Sequence, residues 1–145
     1  MCVIKRLSIM ALLLACTFAA GAQQRFSCDF KMTDNESGNV VFYGKAYVQD
    51  SCYKLETQAG EVYCNGTDRW IYTSSSDELV IQKNDVSFLN DIKVNKSADG
   101  TAVVVYSNFT ITMTGITNAS KPWPAEFFFI DPDSFGMDTI VTDLR

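Results

Sequence analysis

Four turn signals fall between residues 40 and 81: Asp50-Ser51, Ala59-Gly60, Asn65-Gly66-Thr67 and the serine run 74–77. The stretches between them are too short for helices of the usual three turns and are rich in Val, Tyr, Ile and Trp, so this part of the chain reads as an antiparallel meander. Because side chains along a strand alternate faces with a period of two, each turn also fixes which residues share a face.

Pairing outward from Asp50-Ser51 sets Val48 opposite Tyr53 and Ala46 opposite Leu55. The Ala59-Gly60 turn sets Leu55 opposite Cys64, with Val62 on the same face. A three-residue loop with Gly66 in a left-handed conformation sets Val62 opposite Trp70 and Cys64 opposite Asp68. The serine loop sets Tyr72 opposite Leu79 and Trp70 opposite Ile81. The expected result is a single apolar face bearing Ala46, Val48, Tyr53, Leu55, Val62, Cys64, Trp70, Tyr72, Leu79 and Ile81. Lys45, Gln49, Lys54, Glu56, Glu61, Arg69, Glu78 and Gln82 lie on the other face. Cys52 then lies across the sheet from Cys64, which argues against a disulfide between them.

Further strands flank the meander. Phe26, Cys28, Phe30 and Met32 alternate with polar residues, as do Phe109, Ile111, Met113 and Gly115. Asp99-Gly100 predicts a hairpin between residues 92–97 and 101–106, and residues 86–91 predict a turn or a single helical turn. Lys121-Pro122-Trp123-Pro124 predicts an irregular or edge segment, since proline cannot donate to a ladder. Residues 127–130 and 139–144 predict two closing strands joined through Asp131-Pro132-Asp133. The expected fold is mostly β, a single strongly curved antiparallel sheet of about ten strands, an open half-barrel with little helix.

The first residues predict the compartment. Lys5 and Arg6 precede an uncharged run that ends in Ala20-Gly21-Ala22, the order of a secretory signal. Cleavage after Ala22 divides the chain into a signal, residues 1–22, and one β domain, residues 23–145; lipid attachment at Cys16 is the alternative. Removing 22 of the 145 residues leaves 123, enough for one core. It also removes Lys5 and Arg6, taking the net charge from −5 to −7. With scattered Lys and Arg among an excess of carboxylates, a nucleic-acid partner is not expected. Cys28, Cys52 and Cys64 remain and read as small strand residues, with no C-x-x-C spacing to suggest a metal or redox site.

The segment 44–81 resembles the LolA family of periplasmic lipoprotein carriers. The matching elements are Gly44-Lys45-Ala46-Tyr47-Val48, Tyr53-Lys54-Leu55, Asn65-Gly66, Trp70-Ile71-Tyr72 and Glu78-Leu79-Val80-Ile81. The ending Val141-Thr142-Asp143-Leu144-Arg145 is similar to the C-terminal strand of compact relatives. The resemblance implies a curved, unclosed barrel whose concave face receives the acyl chains of a lipoprotein. It implies as partners an inner-membrane transporter and an outer-membrane receptor. The chain departs from the family in three ways: only residues 23–25 separate the expected cleavage site from Phe26 where the longer carriers begin with a helix, only residues 84–91 stand where lid helices are inserted, and the Asp50-Ser51 turn is acidic where the family has a basic residue.

With no histidine in the chain, Ser-His-Asp and Cys-His catalysis are excluded, and no motif calls for a cofactor or metal. The expectation is a monomeric, periplasmic binding protein rather than an enzyme. Its ligand residues are Ala46, Val48, Tyr53, Leu55, Val62, Trp70, Tyr72, Leu79 and Ile81, and its ligand is a lipoprotein acyl chain or other lipid. The alternative is an interaction or envelope-sensing module in which Trp123, Phe127, Phe128 and Phe129 form a plug or lid over the cavity.

Overall fold

In the structure, a computed structural model, residues 25–84, 93–96, 101–106 and 108–145 are described. The signal segment, residues 86–91 and the Asp99-Gly100 turn lie outside them. Strands β1 (Arg25–Asp34), β2 (Val40–Gln49), β3 (Cys52–Thr57), β4 (Gly60–Cys64), β5 (Asp68–Thr73) and β6 (Glu78–Lys83) form the first part of the chain. They are followed by β7 (Lys93–Lys96), β8 (Ala102–Tyr106), β9 (Phe109–Asn118) and β10 (Ile140–Asp143). All join one sheet in the order β10-β6-β5-β4-β3-β2-β1-β9-β8-β7. Neighbours are antiparallel except β10, which lies parallel to β6, so the sheet is mixed. The terminal strands β10 and β7 are not paired with each other, so the sheet is not closed into a barrel.

Residues 127–130 do not form the expected strand. Ala125–Phe128 is a 3-10 turn, and a second, Pro132–Ser134, is capped by the Asp131 side chain, which accepts the Asp133 N–H at 3.0 Å. Together they let residues 119–139 cross the sheet as a strap before β10 begins. No α-helix occurs among the described residues.

One face of the sheet, the core face, is apolar over most of its width. Cross-strand register places Phe26 beside Val48 and Tyr53, and Cys28 beside Ala46, Leu55, Val62, Ile71 and Val80. Met32 stands between Phe42 and Ile111, and Phe30 beside Met113. These side chains, with Ala102 and Val104 of β8, are all buried. Period-two alternation in β1 and β9 is what puts them there. A bulge interrupts the β1–β9 ladder: Ser27 pairs with Thr117 but Asp29 with Thr114, so β9 carries one extra residue opposite Cys28. Gly115 supplies it, at φ +62°, a conformation that glycine adopts without strain.

Two of the four meander turns form as expected. Asp50-Ser51 gives Val48 opposite Tyr53 and Ala46 opposite Leu55, and the serine loop gives Tyr72 opposite Leu79 and Trp70 opposite Ile81. The second turn shifts by one residue to Gln58-Ala59. The Thr57 hydroxyl accepts the N–H groups of Ala59 and Gly60, and Thr57 pairs with Gly60. Leu55 therefore faces Val62, not Cys64, a shift that leaves the faces unchanged.

The third turn overturns the expected division. Its loop has four residues between the paired Cys64 and Arg69. The Asn65 carboxamide oxygen accepts the N–H groups of Thr67 and Asp68 at 3.0 and 2.9 Å, which keeps Asp68, the first residue of β5, out of the ladder with β4. One extra residue reverses every side chain downstream. Val62 consequently faces Ile71, while Trp70, Tyr72, Leu79 and Ile81 point to the face opposite Leu55. Arg69, Glu78 and Gln82, expected among the charged residues, move to the core face.

Candidate functional site

The sheet thus presents two apolar surfaces. The core face holds Ala46, Val48, Tyr53, Leu55, Val62 and Cys64 of the expected apolar face, packed in one cluster with β1, β8 and β9. Trp70, Leu79 and Ile81 form a second cluster on the strap face, joined by Tyr63, Tyr72, Ile130 and Phe135. The nine expected ligand residues are therefore split between two surfaces.

The strap explains how the second surface is covered. Tyr47, Lys54, Tyr63, Trp70 and Ile81 form one cross-strand row from β2 to β6. Trp123 and Phe127 meet the Tyr47 ring edge-on, at 5.8 and 5.3 Å between centroids, and stack on each other at 5.6 Å. The Lys54 ammonium lies 4.5 Å from the Phe127 centroid and 5.1 Å from that of Tyr63, while also pairing with Glu56 at 3.3 Å. Such cation–ring contacts combine attraction with cover for the lysine stem. Phe129 stands edge-on to Trp70 at 5.2 Å, and Phe135 lies over Tyr72 at 4.8 Å.

Polar contacts fix both ends of this crossing. The Gln49 carboxamide forms a two-way pair with Trp123, accepting its N–H at 2.8 Å and donating to its carbonyl at 3.1 Å. At the far end Asp77 accepts from the hydroxyls of Tyr72 and Thr139 at 2.9 and 2.8 Å, and its carbonyl accepts the Ile140 N–H. Arg145 then ties Asp143 at 2.6 Å to Asp68 at 3.2 Å. This pairing holds the Asp143 carboxyl down at about 2, through the hydrogen bonds that Arg145 donates. Of the residues expected as a plug, Trp123 and Phe127 lie against Tyr47 and Phe129 against Trp70, both on the face opposite Leu55, while Phe128 packs against Trp123 and Phe127. Sequence reasoning missed Gln49 and Asp77 as strap anchors, since their strap partners Trp123 and Thr139 lie 74 and 62 residues away.

A polar group interrupts the core face at one end. The row that begins Phe26–Val48–Tyr53 continues through Cys64 to Arg69 and Gln82. The Tyr53 hydroxyl donates to the Asn84 carboxamide at 3.1 Å and also meets Arg69 and Cys64. Burial, the largest cause, raises the proton affinity of Tyr53 above that of an ordinary phenol. Burial likewise pushes the Cys28 thiol up to about 12 and raises Cys64. Cys28, Cys52 and Cys64 are all free thiols.

Beyond the strap lie two grooves of about 230 and 220 Å³, the second of them at the Gly115 bulge. The first is lined by Asp29, Phe30, Lys31, Thr112 and Thr114, and the second includes Ser27, Lys45, Tyr47 and Thr117.

No family model matches the chain, and no curated protein matches it. Among solved structures it is similar to an uncharacterized conserved protein from Thermus thermophilus. That likeness has a TM-score of 0.53 at 7% identity and covers 91% of this chain and 96% of the other. At that identity the shared feature is the fold.

Proposed function

We propose that this is an exported binding protein, working in the periplasm as a carrier, that holds the acyl chains of a lipoprotein or other lipid on the core face of a strongly curled sheet. The single observation that carries the reading is the apolar surface running across β1 to β5, β8 and β9 in a sheet whose edge strands do not join. An unjoined sheet can part along its seam without breaking a closed ladder, so a ligand chain has a way in. The ligand residues on this reading are those that share the face with Leu55: Phe30, Met32, Phe42, Val62, Ile71 and Met113. Two of them are methionines, whose unbranched side chains repack readily around an inserted chain. Each methylene moved from water is worth about 0.8 kcal/mol, so a chain of roughly 15 gains on the order of 12 kcal/mol before ordering costs.

Native mass spectrometry of protein taken gently from its own envelope tests this. The expected result is a mass increment of one or more lipids, together with uptake of a fluorescent fatty acid by the emptied protein. Bare polypeptide and no uptake would overturn the reading.

The strap favours a second reading. Its rings, with the Gln49–Trp123 pair, lie over the aromatic residues on the face opposite Leu55, as an interaction module closed by its own C-terminal segment would have them. Under that reading the protein carries no lipid in either experiment.

A further inference from the structure

We propose that the open edge of β10 pairs antiparallel with β10 of a second copy of this chain, joining two sheets into one about a twofold axis at Thr142. Among the described residues β10 pairs with β6 alone and ends the sheet. All four of its residues are exposed, Ile140 by 57% and Val141 by 46%, and Leu144 just beyond is exposed by 62%. Unpaired backbone groups bordered by such side chains are a template for another strand, and edges that stay single usually carry lysine, proline or a bulge. β10 has none of these, and its ladder with β6 is unbroken from Ile140 to Asp143.

The backbone selects the occupant. The N–H groups of Ile140 and Leu144 donate to the carbonyls of Asp77 and Ile81 at 3.0 and 2.7 Å. Backbone groups alternate sides along a strand, so Ile140, Thr142 and Leu144 turn theirs toward β6, while Val141 and Asp143 turn theirs to the open edge. A second β10 must therefore set an outward residue opposite an outward residue. Asp143 opposite Asp143 brings like charges face to face. Val141 opposite Val141 leaves Leu144 facing Asp138 and Ile140 facing Thr142. Val141 opposite Asp143 instead sets Ile140 opposite Leu144 at both ends, with Thr142 facing itself on the axis. Arg145 already neutralises Asp143 at 2.6 Å, so Val141 meets no bare charge. Ile140 and Thr142 pair with Glu78 and Val80, which puts the Ile140–Leu144 contacts on the core-face side of the join. The contact is isologous and closes after two copies. Such a dimer departs from the monomer expected from the sequence, and it forms whatever the core face holds.

Sedimentation equilibrium of the purified protein up to about 1 mM tests this, because a single strand pair lies at the small, weak end of specific interfaces. The expected result is a monomer–dimer equilibrium. Val141→Pro removes an outward N–H and leaves the β6 ladder whole, so it should raise the dimer dissociation constant at least about 10-fold without changing the far-UV spectrum. Ile140→Glu and Leu144→Lys should each weaken the dimer similarly. Combined, they should restore it, because the new carboxylate and ammonium stand opposite each other in this register alone. In a Cys52→Ala background, Thr142→Cys should form an interchain disulfide, since a non-hydrogen-bonded antiparallel pair brings Cα atoms to about 4.5 Å. The wild-type and crosslinking measurements stand even if Val141→Pro fails to fold. A monomer throughout, a mass that climbs past two copies, or a dimer indifferent to these changes overturns the proposal.

Discussion

Leu55 and Trp70 lie on opposite faces of the sheet. Leu55 pairs with Val62 and Val62 with Ile71, so the residue of β5 that joins Leu55 in the core is Ile71. Trp70 pairs instead with Tyr63 and Ile81 and packs under Phe129 of the strap. The meander therefore supports two separate apolar layers, one within the core and one roofed by the C-terminal segment.

Two layers predict independent energetics. Leu55→Ala should cost about 2–5 kcal/mol and Trp70→Ala about 3–5 kcal/mol, as for buried side chains elsewhere. Their effects should add to within about 0.5 kcal/mol, because the residues share no packing partner. Urea denaturation of the two single variants and the double variant measures this. A coupling above about 1 kcal/mol would place both residues in one layer.

Both side-chain hydrogen bonds to Trp123 at the start of the strap come from Gln49. Gln49→Ala removes both hydrogen bonds to Trp123 and should lower stability by about 1–2 kcal/mol. It should also move the Trp123 emission to the red in a Trp70→Phe background, as the ring gains access to water. Emission unchanged from that background would show that ring contacts alone hold the segment.

The loop that reverses β5 depends on Asn65 and Gly66. Gly66 stands at φ +97°, and a Cβ there would lie 2.7 Å from the Ser51 hydroxyl oxygen. Gly66→Ala should therefore cost about 1–3 kcal/mol from backbone conformation and crowding together. Adding Ser51→Gly should return only the crowding part. Asn65→Ala should cost about 1 kcal/mol through loss of the two N–H contacts that define the four-residue loop. Thermal melts of these variants separate the contributions, and complete rescue by Ser51→Gly would exclude a conformational part.

Buried acids on the core face predict alkaline lability. The folded state holds the Cys28 thiol at about 12 and raises Cys64 and Tyr53, all chiefly through burial. A raised value means that the unfolded chain releases these protons first. The stabilisation is complete below the ordinary thiol range and declines as pH climbs from about 9 toward 12. Melting temperature recorded across that interval should fall steadily, and Cys28→Ala should flatten the slope. A flat profile in the wild-type chain would refute burial of these groups in their neutral form.

Much of the fold could be read from local pattern. Alternation in Phe26-Ser27-Cys28-Asp29-Phe30 and in Phe109 to Met113 specifies a strand and its buried side together. Asp50-Ser51 fixed its register correctly because it is a short loop between strands of clear parity, and the serine run did so through its four-residue length alone. Trp70-Ile71-Tyr72 and Leu79-Val80-Ile81 differ: they are apolar at every position, so alternation says nothing about which side faces the core. There, the choice between a three-residue and a four-residue loop at Asn65 carried the entire assignment.

The sequence by itself determined most of the strands, two of the four meander turns and the apolar content of the core, since these follow from neighbours a few residues apart. Tertiary structure alone decided which face Trp70, Tyr72, Leu79 and Ile81 take. Exposing that row to water would be costly, and it becomes stable only because Phe129, Ile130 and Phe135 return from far along the chain to cover it. Burial on the second face depends on a contact between distant segments, and no local periodicity encodes such a contact.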